Sequence, residues 1–226
     1  KDHLIILPCH AIWKFYLPFS NNNPGEDIDE WELLSFQKPS KDHLILIKHL
    51  QKTIEILNTD IAKSTLIISG GQTKKQCGPI SEALSYYLLG CNLKIVDEKN
   101  SDSIFLEEFA RDSFENLVFA ISRFKQIYNS YPKKITIVGY EFKKSRFLDY
   151  HVKAIKFPVT NVEYVGIDPQ LDDSTPENEK EKFQKDLKEN EYLFALKFFM
   201  SDEFGIKAPL LVKKEQRDPF KNGNPY

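Results

Sequence analysis

Four short apolar runs limit what this chain can fold into: residues 4–7, 65–68, 135–138 and 162–167, each bounded by turn residues. A fifth, weaker run lies at 93–96. The runs at 4–7 and 135–138 are nearly continuous rather than alternating, which suits strands covered on both faces, as in parallel sheets. Between the runs the period changes. Leu44, Ile47, Leu50, Ile54, Leu57 and Ile61 recur at spacings of three and four, one stripe of an amphipathic helix. Further helices are expected over 79–89, with Pro79 in the first turn and Gly90 at the stop, along Phe114, Leu117, Ile121, Phe124 and Tyr128, and over 147–157 and 177–200. Strand and helix alternate, which predicts an α/β fold: a Rossmann-like three-layer sandwich with a mostly parallel central sheet. The 226 residues fit one such domain, with an insertion at about 14–40 and a C-terminal helix plus tail at about 177–226. Within the insertion Asn21-Asn22-Asn23-Pro24-Gly25 opens an acidic loop reaching Trp31, and the tail from Pro209 carries no regular signal.

Charge and cysteine content exclude several classes. Lys plus Arg is 31 and Asp plus Glu is 33, a net charge of −2, so the chain is not a generally basic coat for nucleic acid. No window approaches the roughly 18 apolar residues of a membrane span. The apolar run after Lys1 stops at Pro8-Cys9-His10, too short for a signal-peptide core. Three sparse cysteines, Cys9, Cys77 and Cys91, fit free thiols in a reducing compartment, so a cytoplasmic location is expected. Zinc spacing is absent, and His43 and His49 lie six apart rather than three or four; no metal ligand is assigned.

In open parallel sheets ligands bind beyond the carboxyl ends of the strands, near a switch in strand order. Pro8, Cys9 and His10 follow the first run, Ser69, Gly70 and Gly71 the second, and Gly139, Tyr140, Glu141, Lys143 and Arg146 the third. Glu107, Arg111, Asp112, Ser113 and Asn116 precede or open the helix at 114–128. Glycines allow backbone to approach a ligand, and a helix starting near Pro79 would aim free N–H groups at the same place, which favours an anion. A strand-ending turn with no ligand explains the Ser-Gly-Gly triplet as well. It is not a Walker loop. Asp112 and Glu115 also read as a capping box. Arg111 could fork onto phosphate or simply be solvated. Lys143 and Arg146 lie three apart near a helix start, where a cation gains nothing from the dipole and an anionic partner would explain both. His10 is placed as acid, base or donor, whereas Cys9 as nucleophile is the weaker reading, and His151 reads as a packed or surface helix residue.

The order of these pieces resembles the SanA/YdcF/ElyC-like proteins, in particular their fungal and plant branch. The matching stretches are Ile5-Ile6-Leu7-Pro8-Cys9-His10-Ala11-Ile12-Trp13, Leu66-Ile67-Ile68-Ser69-Gly70-Gly71, Ser81-Glu82-Ala83, Glu107 with Arg111-Asp112-Ser113-Phe114-Glu115-Asn116, and Ile137-Val138-Gly139 through Phe142-Lys143 to Arg146-Phe147. The resemblance implies a Rossmann-like fold with Ser69, Gly70, Gly71, Glu107, Asp112, Ser113, Asn116 and Arg146 around one pocket. Some bacterial relatives are associated with envelope or peptidoglycan lipid metabolism and one with binding S-adenosylmethionine. This chain departs from the bacterial pattern at Pro8-Cys9-His10 in place of a glycine turn. It departs again at Asp112-Ser113 in place of Asn-Thr, and at Lys143 in place of a histidine.

The reading that follows is a pocket for a small anionic ligand, phosphorylated or nucleotide-like, in a hydrolase or group transferase. His10, Glu107 and Asp112 would do proton chemistry. Ser69, Gly70, Gly71, Arg111, Ser113, Asn116, Glu141, Lys143 and Arg146 would hold the ligand, with a divalent metal or S-adenosylmethionine as candidate cofactors. The alternative is a module that binds a nucleotide or S-adenosylmethionine without turnover. A third reading makes Tyr192, Phe198 and Phe199 a partner-binding patch, against packing on the sheet.

Overall fold

The computed structural model describes residues 1–18 and 23–226. Residues 19–22, within the expected insertion and including Asn21 and Asn22 of its loop, lie outside the described residues. Strands β1 (His3–Pro8), β4 (Ser64–Ser69), β5 (Ile104–Glu107), β6 (Lys134–Gly139) and β7 (Val162–Gly166) form one parallel sheet in the order β5-β4-β1-β6-β7. β2 (Ile12–Trp13) and β3 (Trp31–Glu32) pair antiparallel outside it.

The continuous apolar runs do what a doubly covered sheet requires. Ile5 and Leu7 of β1 join Leu66 and Ile68 under α1 (Asp42–Thr59) and α2 (Glu82–Asn92). Leu4 and Ile6 face the other way and join Ile67, Ile135 and Ile137 under α3 (Ser113–Tyr128). That second layer also holds a helical segment, π-helical at Arg146–His151 and then α4 (Val152–Ala154). Each face of β1 therefore has its own core, and the three-layer α/β expectation holds.

Three details differ from the sequence expectation. Residues 93–96 form no strand; Val96 is held under Gly90, and the edge strand is β5. Gly90 lies inside α2, where an added Cβ would stand 2.6 Å from Val96 Cγ2, so this glycine permits packing rather than stopping the helix. The tail contains α7 (Leu210–Gln216), whose seven residues are too few for a period to stand out. α5 (Glu177–Glu191) runs through a π-helical turn at Tyr192–Leu196 into α6 (Lys197–Phe199) and crosses above the strand ends. Among the described residues no helix is long and apolar enough to cross a membrane.

The chain moves outward from β1 to β4 and β5, then returns to β6 on the opposite side of β1. Strand order therefore switches between β1 and β6. Adjacent loops part there, leaving a crevice at the strand carboxyl ends.

Candidate functional site

A cavity of about 870 Å³ occupies that crevice, within the roughly 300–1,000 Å³ typical of small-molecule sites. Its floor is Cys9 and His10 after β1, Tyr140, Phe142 and Lys143 after β6, and Asp112, Ser113 and Asn116 at the start of α3. α5 supplies Phe183, Leu187 and Glu191 to its wall, the π-helical turn supplies Phe194, and α7 and its end supply Lys213 and Arg217.

The centre of the floor is an aromatic and cationic stack. The His10 ring lies 5.1 Å from that of Tyr140, and the Lys143 ammonium sits 4.7 Å above the Tyr140 ring and 3.5 Å from His10 Nδ1. Tyr140 is fixed from below, its hydroxyl donating to Asp42 Oδ2 at 2.8 Å. Burial and the Arg146 charge push the Lys143 amine down to about 7. Burial, with Lys143 next, holds His10 well below its ordinary value, so its imidazole is neutral. His49, packed edge-on to Tyr140, donates Nε2–H to the Ile167 carbonyl at 2.8 Å, and burial lowers its pKa to about 4.

Cations at this cavity fall into two sets. Arg146 pairs with Glu191 through two nitrogens, Nε to Oε1 at 2.9 Å and Nη2 to Oε2 at 3.1 Å. Arg111 is held by Glu115 at 2.7 Å and by Asp218 at 3.4 Å. Lys214, behind the site, bridges Asp112 and Glu115 at 3.3 and 3.4 Å. Lys74, Lys143, Lys213 and Arg217 also line the cavity, and among the described residues none is within ion-pair distance of a carboxylate.

Among curated proteins the chain is similar to an uncharacterised protein of Saccharomyces cerevisiae (strain S288c), YOR238W. The two are 38% identical over 263 aligned residues, covering all of this chain and 86% of the yeast protein. The chain belongs to the family of that yeast protein. No protein-family model and no solved structure matches it.

The structure divides the residues that the sequence grouped together. His10, Arg111, Asp112, Ser113, Asn116, Lys143 and Arg146 all reach the cavity. Ser69, Gly70, Gly71, Glu107 and Glu141 do not line it. The two glycine N–H groups donate to the carbonyls of Glu107 and Ala110, at 2.9 and 2.8 Å. Their own carbonyls accept from Ala83 and Glu82, so they cap the first turn of α2 and leave no free N–H there for an anion. The glycines are required because α2 is close: a Cβ on Gly70 would stand 2.8 Å from that of Cys9 and 2.9 Å from that of Glu82.

Glu107 is fully buried and accepts from Ser69 Oγ at 2.5 Å and from the N–H groups of Phe109 and Ala110 at 2.7 and 3.1 Å. Burial pushes its carboxyl up to about 7 despite those bonds. It ties β4 to the loop after β5, and the assignment of Glu107 as a site residue is corrected accordingly. Glu141 instead borders an adjoining groove of about 530 Å³ with Gly166 and Asp168, which shares Leu171 and Phe183 with the main cavity. Arg111 lines the cavity but is held by its two carboxylates. Asp112 is confirmed as the N-cap of α3, accepting from Glu115 N at 2.8 Å, and burial raises its carboxyl.

Other lining residues escaped the sequence reading. Glu82 projects into the cavity with Thr73 donating to it, and burial raises its pKa. In the sequence it stands in the Ser81-Glu82-Ala83 stretch of the resemblance, but an acid in the first turn of a helix is explained by the helix dipole alone and drew no site assignment. Lys213 and Arg217 lie on or beside the helix that gave no signal. Of the proposed C-terminal patch, Tyr192 is exposed, but Phe199 is buried with its ring 4.5 Å from that of His151.

Proposed function

We propose that the cavity between β1 and β6 binds a small anionic molecule, phosphorylated or nucleotide-like, and supports hydrolysis or transfer of a group on it. The observation that carries this reading is the set of Lys74, Lys143, Lys213 and Arg217 around one concave site, which among the described residues have no carboxylate partner, Lys213 and Arg217 reaching only the carbonyls of Phe194 and Arg111, beside cations that are matched to carboxylates. An unmatched cation in a low-dielectric recess is costly, and an anion entering it restores the balance. Neutral His10 supplies a proton acceptor or donor. Glu82, whose carboxyl burial pushes upward, is its partner for proton transfer, whereas Asp112, shifted the same way, is engaged by Lys214 and the Glu115 N–H. The order of motifs along the chain supports membership of the SanA/YdcF/ElyC-like family, and the three free thiols support a cytoplasmic location.

Among the described residues no group of three or more His, Cys, Asp or Glu side chains is arranged to hold a metal, so no protein ligand set for a metal is part of this reading. The apolar side of the wall, with Phe36, Phe142, Phe183 and Phe194, favours a second reading: a module that seats a nucleotide or S-adenosylmethionine against these rings without turning it over.

One experiment separates the two. The protein is challenged with nucleotides, sugar phosphates and S-adenosylmethionine, with and without magnesium, and thermal shift and product formation are recorded. Phosphorylated compounds should stabilise it, less so at high salt and less in the Lys213→Ala/Arg217→Ala protein. Stabilisation without product selects the binding module. No stabilisation by any anionic compound, or stabilisation indifferent to the double substitution, overturns the proposal.

A further inference from the structure

At the mouth of α3 the hydroxyl of Ser113 lies 2.8 Å from Nε2 of His151, a contact between two elements 38 residues apart in sequence. Ser113 lines the cavity and is 8% exposed; His151 is fully buried. The imidazole is enclosed by the rings of Phe114, Phe147 and Phe199 at centroid distances of 5.6, 5.4 and 4.5 Å. Burial, and then the nearby charges of Arg146 and Lys214, hold it well below its ordinary value. It therefore carries one N–H, and the open question is on which nitrogen.

Among the described residues Nδ1 has no hydrogen-bond partner. If the hydrogen sat on Nδ1, a buried N–H would be orphaned. If it sits on Nε2, only a lone pair is left unmatched, the commoner of the two defects in folded proteins. The second tautomer makes Nε2–H the donor and Ser113 Oγ the acceptor. A serine hydroxyl has one hydrogen, and among the described residues Ser113 has no other side-chain partner. That hydrogen is left to point into the cavity.

We propose that Ser113 is a hydrogen-bond donor to the anionic ligand of this cavity and that His151 is the positioning residue that turns its hydrogen inward. The inference rests on the anion reading above and adds a named donor to it. It also makes the Ser–His contact something other than a nucleophile and its base: a base there would have to become an imidazolium inside an aromatic cage beside two cations.

The test has two arms. Long-range proton–nitrogen correlation spectra of the wild-type protein, with Ser113→Ala and His151→Gln proteins for assignment, identify the His151 tautomer without any ligand. The Nε2–H form is expected; the Nδ1–H form overturns the proposal, because Ser113 would then donate to histidine. In the second arm, affinities for inorganic phosphate and adenosine 5′-monophosphate are measured by calorimetry. Ser113→Ala should bind the probes roughly 10- to 100-fold more weakly, as for a lost hydrogen bond to a charged group. His151→Phe should show part of that loss, and His151→Gln, whose amide N–H reaches a similar place, should restore it. Wild-type affinity in Ser113→Ala overturns the donor role while the anion reading stands. No binding of either probe by the wild type overturns the anion reading and the donor role with it, and the tautomer then still decides which way the hydrogen bond runs.

Discussion

The two halves of the sheet's carboxyl edge carry similar residue types and use them differently. On the β4–β5 side, Ser69, Gly70, Gly71 and Glu107 bond to one another, to Asn116 and to the first turn of α2. On the β1–β6 side, His10 and Lys143 line the cavity against each other, and Lys213 and Arg217 join them from the far end of the chain, bonded to the Phe194 and Arg111 carbonyls but, among the described residues, to no carboxylate. The lesson concerns matched and unmatched partners. A charged or polar group at this edge belongs to the fold when internal partners satisfy both its hydrogen bonds and its charge, and is open to a ligand when its charge is left unmatched.

The largest expected effect lies where the open half borrows the rule of the closed one. Arg146 and Glu191 are both buried and fasten α5 across the cavity. Arg146→Met should cost about 3–5 kcal/mol by leaving Glu191 charged and alone, and Arg146→Met with Glu191→Leu should recover most of that in denaturant titrations. A loss well under 1 kcal/mol in the single variant would show that the pair does not hold the roof.

Next comes the closed half. Gly70→Ala should destabilise by about 1–3 kcal/mol, because its Cβ meets Cys9 and Glu82 at under 3 Å. Thermal unfolding measures this, and an unchanged midpoint would break the claim of close approach.

Glu107 gives a pH signature. Its folded pKa of about 7 lies above the 4.5 of an ordinary glutamate. Between those values the native state binds the extra proton, so stability is fully present below about 4.5 and is lost as pH rises through about 7. The slope from this group approaches about 1.4 kcal/mol per pH unit within the window. Unfolding free energies of Glu107→Gln should be flatter over that window, and an unchanged slope would place the proton elsewhere.

The smallest stability effects are expected in the open half. Lys213→Ala and Arg217→Ala should change stability by no more than about 0.5 kcal/mol. Lys143→Met should leave the unfolding midpoint unchanged or raise it at neutral pH, because the native state disfavours that ammonium. All three should weaken anion binding. A protein that loses stability but not affinity on losing Lys143 would erase the contrast between the halves.

The sequence predicted the sheet more completely than the site. Runs such as 4–7 and 135–138 identify strands because burial on both faces demands apolar residues at every position, a condition visible one residue at a time. Asp112 as a cap was equally local, since a cap bonds within its own turn. His151 was not legible. Five residues beyond Arg146, it would lie roughly 140° around an α-helix from it, but the segment is π-helical and the wider turn brings both toward the start of α3.

Residue type and spacing by themselves determined the α/β layering, the strand ends and the helix starts, because each depends on contacts short in sequence or on a repeating burial pattern. Which polar groups at those ends are occupied and which stand open was decided only in three dimensions. Glu107 has its partners within three residues and across one strand, whereas Lys143 and Arg217 share one cavity because the chain carrying α7 folds back over the crevice. Hydrogen-bond saturation is a property of the whole neighbourhood, and no stretch of chain contains its own neighbourhood.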